Sequence, residues 1–355
     1  MSRSEGAGVN ASTRVERSDT GFGQQVRRFF TGSYRTEIRI LLVVLLLVVL
    51  FVLIYPEQFG TLRNAENMSR YTAVLFVVAL GQMFALLVGG FDISVGATMG
   101  LASTIGAIVM VNAGTTLGVV AGVASGAVVG VLNGILIGVC RVSPFVATLG
   151  TMTLVGGLAD FITGGKSVSG LPEEFGWFGR FDWGPIPSTV GIAVIIGVLG
   201  WVLLSRTRAG LNIYAVGGSR GTSILAGLPV VRIEVLAYAL CGTLAGVAGM
   251  MLSSRVLIGQ AALGSGYELT AIATAVIGGV AIGGGTGRIL GVVFGVLLLS
   301  VITTGMNIAG LSEFIQRMLT GAVLIIAVLV DQFRGRGTAR ASRLAKPFRR
   351  PVKSS

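Results

Sequence analysis

The sequence predicts an all-α polytopic membrane protein with about ten transmembrane helices. Of its 355 residues, 53% are hydrophobic and only 12% are charged, and the mean hydropathy is +0.85, which separates the chain from soluble globular domains. The apolar residues form repeated runs close to the roughly 20 residues that an α-helix needs to cross a bilayer. The residue-by-residue alternation of outer-membrane barrel strands is not seen, so the pattern favours a helical bundle over a barrel.

Ten apolar runs are interpreted as membrane spans. They cover residues 38–54, 71–87, 93–111, 116–139, 145–163, 188–204, 233–252, 269–282, 289–308 and 314–330. The first run starts far from Met1 and lacks a small-x-small cleavage motif before Tyr55-Pro56, so we interpret it as an uncleaved anchor and not as a signal peptide.

The positive charge predicts the orientation of the spans. The net charge is +12, and the basic residues concentrate in the two tails and in short loops, chiefly 205–232. Because cytoplasmic loops of membrane proteins are enriched in Lys and Arg, ten spans with both termini in the cytoplasm place these residues inside. There they would contact anionic lipid headgroups of the bilayer, and no nucleic acid is implied. Residues 1–36 are predicted to be a disordered basic tail, residues 37–332 the transmembrane domain, and residues 333–355 a second basic tail.

Several chemistries are excluded by what the sequence lacks. It has no histidine, which removes histidine-based catalysis, proton relays and metal sites. Cys140 and Cys241 lie in apolar runs without CxxC spacing, so we expect neither a disulfide nor a metal site. Gly165-Lys166-Ser167 imitates the end of a phosphate-binding loop, but Asp160 stands where that loop requires glycine. We therefore expect no enzyme and no cofactor, so any energy for moving a solute must come from a partner or an ion gradient.

The fourth span carries a glycine at every fourth position. These glycines are Gly118, Gly122, Gly126, Gly130, Gly134 and Gly138. On an α-helix, a step of four residues advances about 40° beyond a full turn, so the glycines form a groove that winds slowly around the helix. Small residues let helices approach closely in a membrane, where lipid removes the usual hydrophobic drive for association. We expect these glycines to pack helices together and not to bind a ligand.

Polar residues beside or within the apolar runs are the candidates for a solute pathway. The stretch Gly89-Gly-Phe-Asp-Ile-Ser-Val-Gly96 puts Asp92 and Ser94 between two spans, where a carboxylate is costly unless it finds partners or water. Asn133 lies within the fourth span, and Glu268 begins the eighth. The predicted topology puts Asp92 near an inner membrane surface and Glu268 near an outer one. Two interpretations stay open: these residues line a substrate pathway, or they cap helix starts and, for Asn133, join two helices.

The longest loop on the predicted cytoplasmic side, 205–232, is a second candidate site. Residues 219–228 within it are amphiphilic and end at Gly227, which favours a short helix at the membrane surface. The alternative is a plain connecting loop anchored by arginines.

Several stretches together resemble the membrane permeases of bacterial ATP-binding-cassette (ABC) importers for monosaccharides of the ribose, xylose and galactoside type. Gly89-Gly-Phe-Asp-Ile-Ser-Val-Gly96 is similar to the Gly-Gly-Ile-Asp-Leu-Ser-Val-Gly signature of that family. Further similar stretches are Pro144-Phe-Val-Ala-Thr-Leu-Gly150, Thr207-Arg-Ala-Gly210, Ile213-Tyr-Ala-Val-Gly-Gly218, Tyr238-Ala-Leu-Cys-Gly242, Gly264-Ser-Gly-Tyr-Glu-Leu-Thr-Ala-Ile-Ala273 and Gly283-Gly-Gly-Thr-Gly-Arg288. They follow the order of the family from about residue 38 to about residue 332.

The resemblance implies a permease subunit in the bacterial plasma membrane with three protein partners. These are a second permease copy, an extracytoplasmic sugar-binding protein and a separate cytoplasmic ATPase that binds the ATP. By position in the family, residues 219–228 would be the coupling helix that docks on the ATPase. The implied coupling-loop residues are Arg208, Gly217, Gly218, Ser219, Arg220, Ala226, Gly227 and Leu228. The chain departs from the family at 219–223, where Asn-x-x-Ala-Ala is common, and at Gly156-Gly157, where Arg often precedes the glycine.

We therefore expect a monosaccharide importer that works by alternating access through a polar, weakly binding cavity. An ion-coupled secondary transporter of a small polar solute is the alternative, since it would also have many spans. Such transporters carry ionisable residues deep within their spans, whereas Asp92, Asp160 and Glu268 are predicted near span ends.

Overall fold

The computed structural model describes residues 35–184, 186–326 and 329, and most of these residues are helical. The helices are α1 (Arg35–Ile54), α2 (Pro56–Phe59), α3 (Leu62–Leu87), α4 (Val95–Ala113), α5 (Thr115–Gly138), α6 (Pro144–Thr163), α7 (Ser188–Arg206), α8 (Arg208–Gly218), α9 (Arg220–Leu225), α10 (Val230–Val256), α11 (Tyr267–Ile277) and α12 (Ile289–Ile308). Residues 313–326 are also helical. Two 3₁₀-helices, Glu173–Phe178 and Ala261–Gly264, and two short antiparallel strands, β1 (Asp182–Trp183) and β2 (Ile186–Pro187), complete the described structure.

Eight helices within the described residues are long and apolar enough to cross a membrane: α1, α3, α4, α5, α6, α7, α10 and α12. They coincide with eight of the ten predicted spans, and the all-α polytopic fold class is confirmed. The helix over residues 313–326 covers most of the predicted tenth span. The predicted tail 333–355 and residues 1–34 of the predicted tail 1–36 lie outside the described residues.

The predicted eighth span, 269–282, is a shorter helix in the structure. Helix α11 has 11 residues, or about 17 Å at 1.5 Å per residue, which is too short to cross a hydrocarbon core of about 30 Å. The apolar run continues to Ile282, but the chain turns at Gly279, whose φ is +88°. A backbone conformation that favours glycine therefore ends the helix before the apolar composition does.

Helices α3 and α10 form the centre of the bundle. In the most apolar stretch of α3, 83% of the residues are buried, against 17% for α1, which lies at the periphery. Helix α10 packs against α3, α4 and α5. Leu80 and Phe84 of α3 and Cys241 and Ala245 of α10 belong to one buried apolar cluster. The apolar faces that α5, α6 and α7 leave exposed are available to lipid or to another protein.

The glycine groove of α5 lies against α10 and α4. A Cβ atom at Gly126 would be 2.5 Å from the carbonyl oxygen of Gly242, and one at Gly134 would be 2.6 Å from the Cα atom of Val235. At the other end of α5, a Cβ atom at Gly118 would be 2.7 Å from the carbonyl oxygen of Gly106 on α4. Glycine is therefore required for these backbones to come this close.

The segment between α6 and α7 is fastened to the ends of two central helices. Phe175 of the 3₁₀-helix is buried, and its carbonyl oxygen accepts a hydrogen bond of 2.5 Å from the hydroxyl of Ser254 on α10. Arg70 of α3 forms an ion pair with Asp182 and donates to the carbonyl oxygen of Gly179 (3.3 Å).

Candidate functional site

Helix α4 begins inside the bundle and not at its edge. After α3 the chain turns at Gly89, whose φ is +84°, and runs back along α3. The side-chain amide of Gln82 donates to the carbonyl oxygen of Asp92 and accepts from its N–H, each at 3.0 Å. Gln82 lies five residues before Leu87, the last residue of α3, or about 8 Å along the helix axis. Asp92 therefore lies level with Gln82, about 8 Å along the axis of α3 from the end of that helix.

Asp92, Ser94 and Asn133 form one buried hydrogen-bonded cluster. Asp92 Oδ1 accepts from the backbone N–H of Ser94 (2.8 Å) and from its hydroxyl (2.6 Å). Asn133 Nδ2 donates to Asp92 Oδ2 (3.1 Å) and to Ser94 Oγ (2.9 Å). All three residues are almost completely buried. Asn133 Oδ1 has no hydrogen-bond partner among the described residues.

This cluster stabilises the start of α4 and joins it to α5. A carboxylate that accepts from a backbone N–H at a helix N-terminus is favoured both by the hydrogen bond and by the helix dipole. Asn133 reaches the same carboxylate from the C-terminal part of α5, five residues before Gly138. A substrate contact stays a prediction for Asp92, Ser94 and Asn133, because their side chains are enclosed within a single copy of the chain.

Glu268 lies beside the same helix start and not at the opposite membrane surface. A Cβ atom at Gly96, in the first turn of α4, would overlap the Glu268 carboxylate. That carboxylate also accepts from the N–H of Gly266 with both oxygens (3.1 Å each). The predicted topology separated Asp92 from Glu268 because it treated residues 269–282 as a full span.

The chain that leads into α11 explains this placement. After α10 the chain runs back along α4, because a Cβ atom at Gly259 would lie 2.7 Å from the carbonyl oxygen of Ser103. A Cβ atom at Gly264 would lie 2.7 Å from the Cβ atom of Met99, one helical turn nearer the start of α4. The N-termini of α4 and α11 therefore both lie within the bundle, next to each other.

The predicted coupling loop, 205–232, contains two helices. Thr207 precedes α8 and Ser219 precedes α9, and each hydroxyl accepts from the backbone N–H three residues later (3.2 and 3.3 Å), as N-cap residues do. The predicted helix over 219–228 is thus the six-residue helix α9 with its cap and a turn at Gly227, whose φ is +75°. The sequence analysis did not predict α8.

Glycines end α8 at a crowded junction. The N–H of Gly285 donates to the carbonyl oxygen of Leu87 at the end of α3 (2.9 Å). A Cβ atom at Gly217 would lie 2.5 Å from that nitrogen, and one at Gly285 would lie 2.6 Å from the Cα atom of Gly218. Tyr214 of α8 donates to the carbonyl oxygen of Gly287 (2.9 Å). The end of α8 is therefore fixed to α3 and to the loop before α12.

Arg220, the first residue of α9, is paired with Glu234 of α10. Its Nε and Nη2 donate to the two carboxylate oxygens (2.7 and 3.2 Å). Hydrogen bonding to Glu234 raises the pKa of the Arg220 guanidinium, which favours its charged form. The hydroxyl of Ser223 donates to the carbonyl oxygen of Ala215 (3.0 Å) and joins α9 to α8.

The other predicted loop residues lie nearby but do not form one cluster with Arg220. Arg208 is exposed at the start of α8, Ala226 is the C-cap residue that follows α9, and Leu228 packs against the main apolar cluster.

Helix α6 exposes small and polar residues among large apolar ones, since Val146, Leu154 and Phe161 are exposed on the same side. Gly150, Thr153, Gly157 and Asp160 are exposed, and spacings of three and four residues place them on the same side of the helix. The Cβ positions of Gly150 and Gly157 have no neighbouring atom within 4 Å. The open Cβ positions of Gly150 and Gly157 leave room for another helix to approach closely, while Asp160 lies near the end of α6, three residues before Thr163.

The sequence analysis missed three polar residues that hold the site together. These residues, Gln82, Glu234 and Tyr238, lie inside apolar runs, as Asn133 does. A polar side chain within an apolar run is the signal that singled out Asn133, and it would also have identified Gln82 and Glu234. Tyr238 is completely buried, and its hydroxyl donates to the carbonyl oxygen of Phe91 (3.4 Å).

Comparison with known proteins gives consistent matches along the chain. A family model described as branched-chain amino acid transport system / permease component matches residues 64–328. Ribose import permease protein RbsC of Bacillus subtilis (strain 168) is 39% identical over 291 residues, which cover 81% of this chain and 90% of the relative. RbsC of Escherichia coli (strain K12) is 36% identical over 310 residues, covering 86% and 96%. No solved structure matches the chain.

A relative named for a different sugar aligns over a similar share of both chains as the ribose permeases do. L-arabinose transport system permease protein AraH of Escherichia coli (strain K12) is 33% identical over 318 residues, which cover 89% of this chain and 97% of the relative. The family match over residues 64–328, carried by a bundle of spanning helices, shows that this multi-pass membrane protein belongs to the family of transport-system permease components described for branched-chain amino acids.

Proposed function

We propose that the chain is the membrane permease subunit of a bacterial ABC importer that moves a ribose-like monosaccharide into the cytoplasm. The observation that carries the proposal is the alignment with ribose import permeases over at least nine-tenths of their own length. The family model is described for branched-chain amino acid transport, whereas these relatives, and the arabinose permease, are named for sugars. A pentose is therefore the first solute to test, with leucine as the competing one.

The exposed side of α9 supports docking of a separate ATPase. Leu225 is 90% exposed and Ile224 is 50% exposed, while Ser223 on the other side is buried against α8. Exposed aliphatic side chains on a fixed polar loop favour burial against a partner. The partner would bind the ATP, since the sequence has no phosphate-binding loop of its own.

The exposed face of α6 supports a second permease copy. If two copies met along Gly150, Thr153, Gly157 and Asp160, a polar route could form between them without placing these residues in lipid. The same helix lies near the start of α4, since a Cβ atom at Gly156 would be 4.0 Å from that of Ala97.

Two of the polar positions would then have different roles. Glu268, which is half-buried, would face the route, and the enclosed cluster around Asp92 would brace its wall. Weak binding along this route suits an importer that receives its solute from a high-affinity binding protein, because a tight site would slow release.

The experiment is uptake into proteoliposomes that contain the full chain with its candidate ATPase, with the binding protein added outside. Radiolabelled ribose, arabinose and leucine are supplied in turn, with ATP or a non-hydrolysable analogue enclosed. We expect ribose uptake that needs both partners and hydrolysable ATP. Leucine uptake under the same conditions would replace the sugar by an amino acid. Uptake by the chain alone, abolished by an ionophore, would instead establish an ion-coupled transporter.

A further inference from the structure

We propose that Arg220 and Glu234 are positioning residues that hold α9 rigidly on α10, so that movement of α9 at the ATPase is transmitted to the buried start of α4. The inference rests on the proposed function, in which α9 is the element that docks on the ATPase. It adds the contact by which the transmembrane helices follow that element.

The pair joins the N-terminal end of α9, which Ser219 connects to α8, directly to α10. At its C-terminal end, α9 is connected to α10 only through residues 226–229, which include Gly227 with a φ of +75°. A covalent link through a glycine turn would let the short helix pivot. At its N-terminal end, Arg220 reaches across 14 positions of sequence to Glu234. Because both ends of α9 are fastened to α10, a tilt of α9 acts on α10 as well as on α8, to which Ser223 is hydrogen-bonded.

The pair is protected from solvent on the side of α10. The side chain of Glu234 is 8% exposed, against 34% for Arg220. Gly138, at the end of α5, closes the other side, because a Cβ atom there would lie 3.2 Å from Glu234 Oε2. Two parallel N–H···O bonds give the contact a fixed geometry that a lysine ammonium would not reproduce.

One helical turn of α10 connects this pair to the site at α4. Tyr238 follows Glu234 by four residues and so lies on the same side of α10. Its hydroxyl donates to the carbonyl oxygen of Phe91 (3.4 Å), the residue before Asp92. A Cβ atom at Gly90 would overlap that hydroxyl, so the segment before α4 lies directly on Tyr238. A displacement of the first turns of α10 therefore acts on the segment that positions Asp92.

A transmitting contact differs from a merely stabilising one in what its loss does. If the pair only stabilised the fold, its loss would lower transport and ATP hydrolysis in the same proportion, through the amount of folded complex. If the pair transmits movement, ATP hydrolysis continues while fewer sugars cross, and the number of ATP molecules hydrolysed per sugar rises.

The experiment uses the full chain with its ATPase and binding protein in proteoliposomes, and measures ATP hydrolysed per ribose transported. The variants are Arg220→Glu, Glu234→Arg and the exchange that combines both. We expect each single variant to raise the ratio at least fivefold and the combined variant to return it to within about twofold of the parent, since the exchanged charges can pair again. Arg220→Lys retains the charge but loses the second hydrogen bond, so it should raise the ratio less than Arg220→Glu does. It replaces the charge-reversal variants in the experiment if either of them is not produced in folded form.

The matched control is Arg232→Glu. Arg232 is exposed in the first turn of α10, and the substitution changes the charge of the loop by the same amount. The ratio should stay within twofold of the parent for this variant. An unchanged ratio in Arg220→Glu, or a combined variant as defective as the single ones, would overturn the inference. If the parent chain already transports ribose with ATP, such a result leaves the proposed function intact.

Discussion

Asn133, in the C-terminal part of α5, donates a hydrogen bond of 3.1 Å to the carboxylate of Asp92, which lies 41 residues earlier. The contact sets the depth at which α4 begins, because the carboxylate also accepts from the N–H of Ser94. A carboxyl group in the apolar body is tolerated only where hydrogen bonds replace its contacts with water. The cluster thus holds the start of α4 in place within the bundle.

The first prediction concerns the stability that this contact contributes. Asn133→Ala would remove the donor to Asp92 Oδ2 and leave a buried carboxylate oxygen short of a partner. We expect a loss of about 1–3 kcal/mol in the free energy of unfolding, visible as a lower melting temperature of the detergent-purified protein.

Asn112→Ala is the matched control for Asn133→Ala. Asn112 is exposed and its amide donates only to the carbonyl oxygen of Ile108 in its own helix (2.7 Å), so its substitution should change stability by at most about 0.5 kcal/mol. Equal melting temperatures for Asn133→Ala and the parent would show that the contact contributes nothing.

The second prediction concerns the glycine groove. A Cβ atom at Gly130 would lie 3.0 Å from the Cα atoms of Ala239 and Gly242, so Gly130→Ala forces α5 away from α10. Overpacking of this kind costs about 1–3 kcal/mol, and the melting temperature should fall. Gly321→Ala introduces the same methyl group where the Cβ position has open space, and it should leave the melting temperature near that of the parent. Equal stability of both variants would refute the requirement for glycine at Gly130.

The sequence was sufficient for the bundle because a membrane imposes a simple rule of length and apolarity on each span. It predicted eight spans that the structure contains, and it identified Asp92, Ser94 and Asn133 as residues that need polar partners. That these three are partners of each other depends on how far the chain turns back after Gly89. Composition does not encode that distance.

The sequence failed where an apolar run is not a full helix. Residues 269–282 carry no charge and are mostly apolar, yet α11 stops at Ile277. The segment that precedes α11 runs back along α4, which brings Glu268 to Gly96. The pairing of Arg220 with Glu234 was missed for a related reason. It depends on the turn at Gly227 between two helices, and Glu234 itself looks like an ordinary interruption of an apolar span.

The third prediction tests whether the exposed face of α6 meets water. In a background with Cys140→Ser, which removes the exposed native thiol, Thr153→Cys and Asp160→Cys should react with a membrane-impermeant thiol reagent, because thiolates form only where water reaches. Val128→Cys on α5 and Leu199→Cys on α7 are controls, since these side chains are exposed on apolar faces and should stay unreacted in lipid. Protection of the first pair by saturating ribose would place the sugar at this face. Equal labelling at all four positions would contradict a special role for α6.

The fourth prediction concerns the docking side of α9. Leu225 is 90% exposed on a six-residue helix whose cap and ion pair fix its backbone, so it offers an apolar contact at little cost in entropy. Leu225→Asp replaces that contact by a charge that would have to be desolvated in the interface. We expect the ATPase to bind at least tenfold more weakly, equivalent to about 1.4 kcal/mol, as measured by titrating the detergent-purified permease with the ATPase.

Leu62→Asp is the control. Leu62 is 77% exposed at the start of α3, on the side that the charge distribution predicts to be extracytoplasmic. Its substitution should leave ATPase binding unchanged. If both variants bind the ATPase as the parent does, α9 does not carry the docking contact, and the loop's other exposed helix, α8 with Leu211, becomes the element to test.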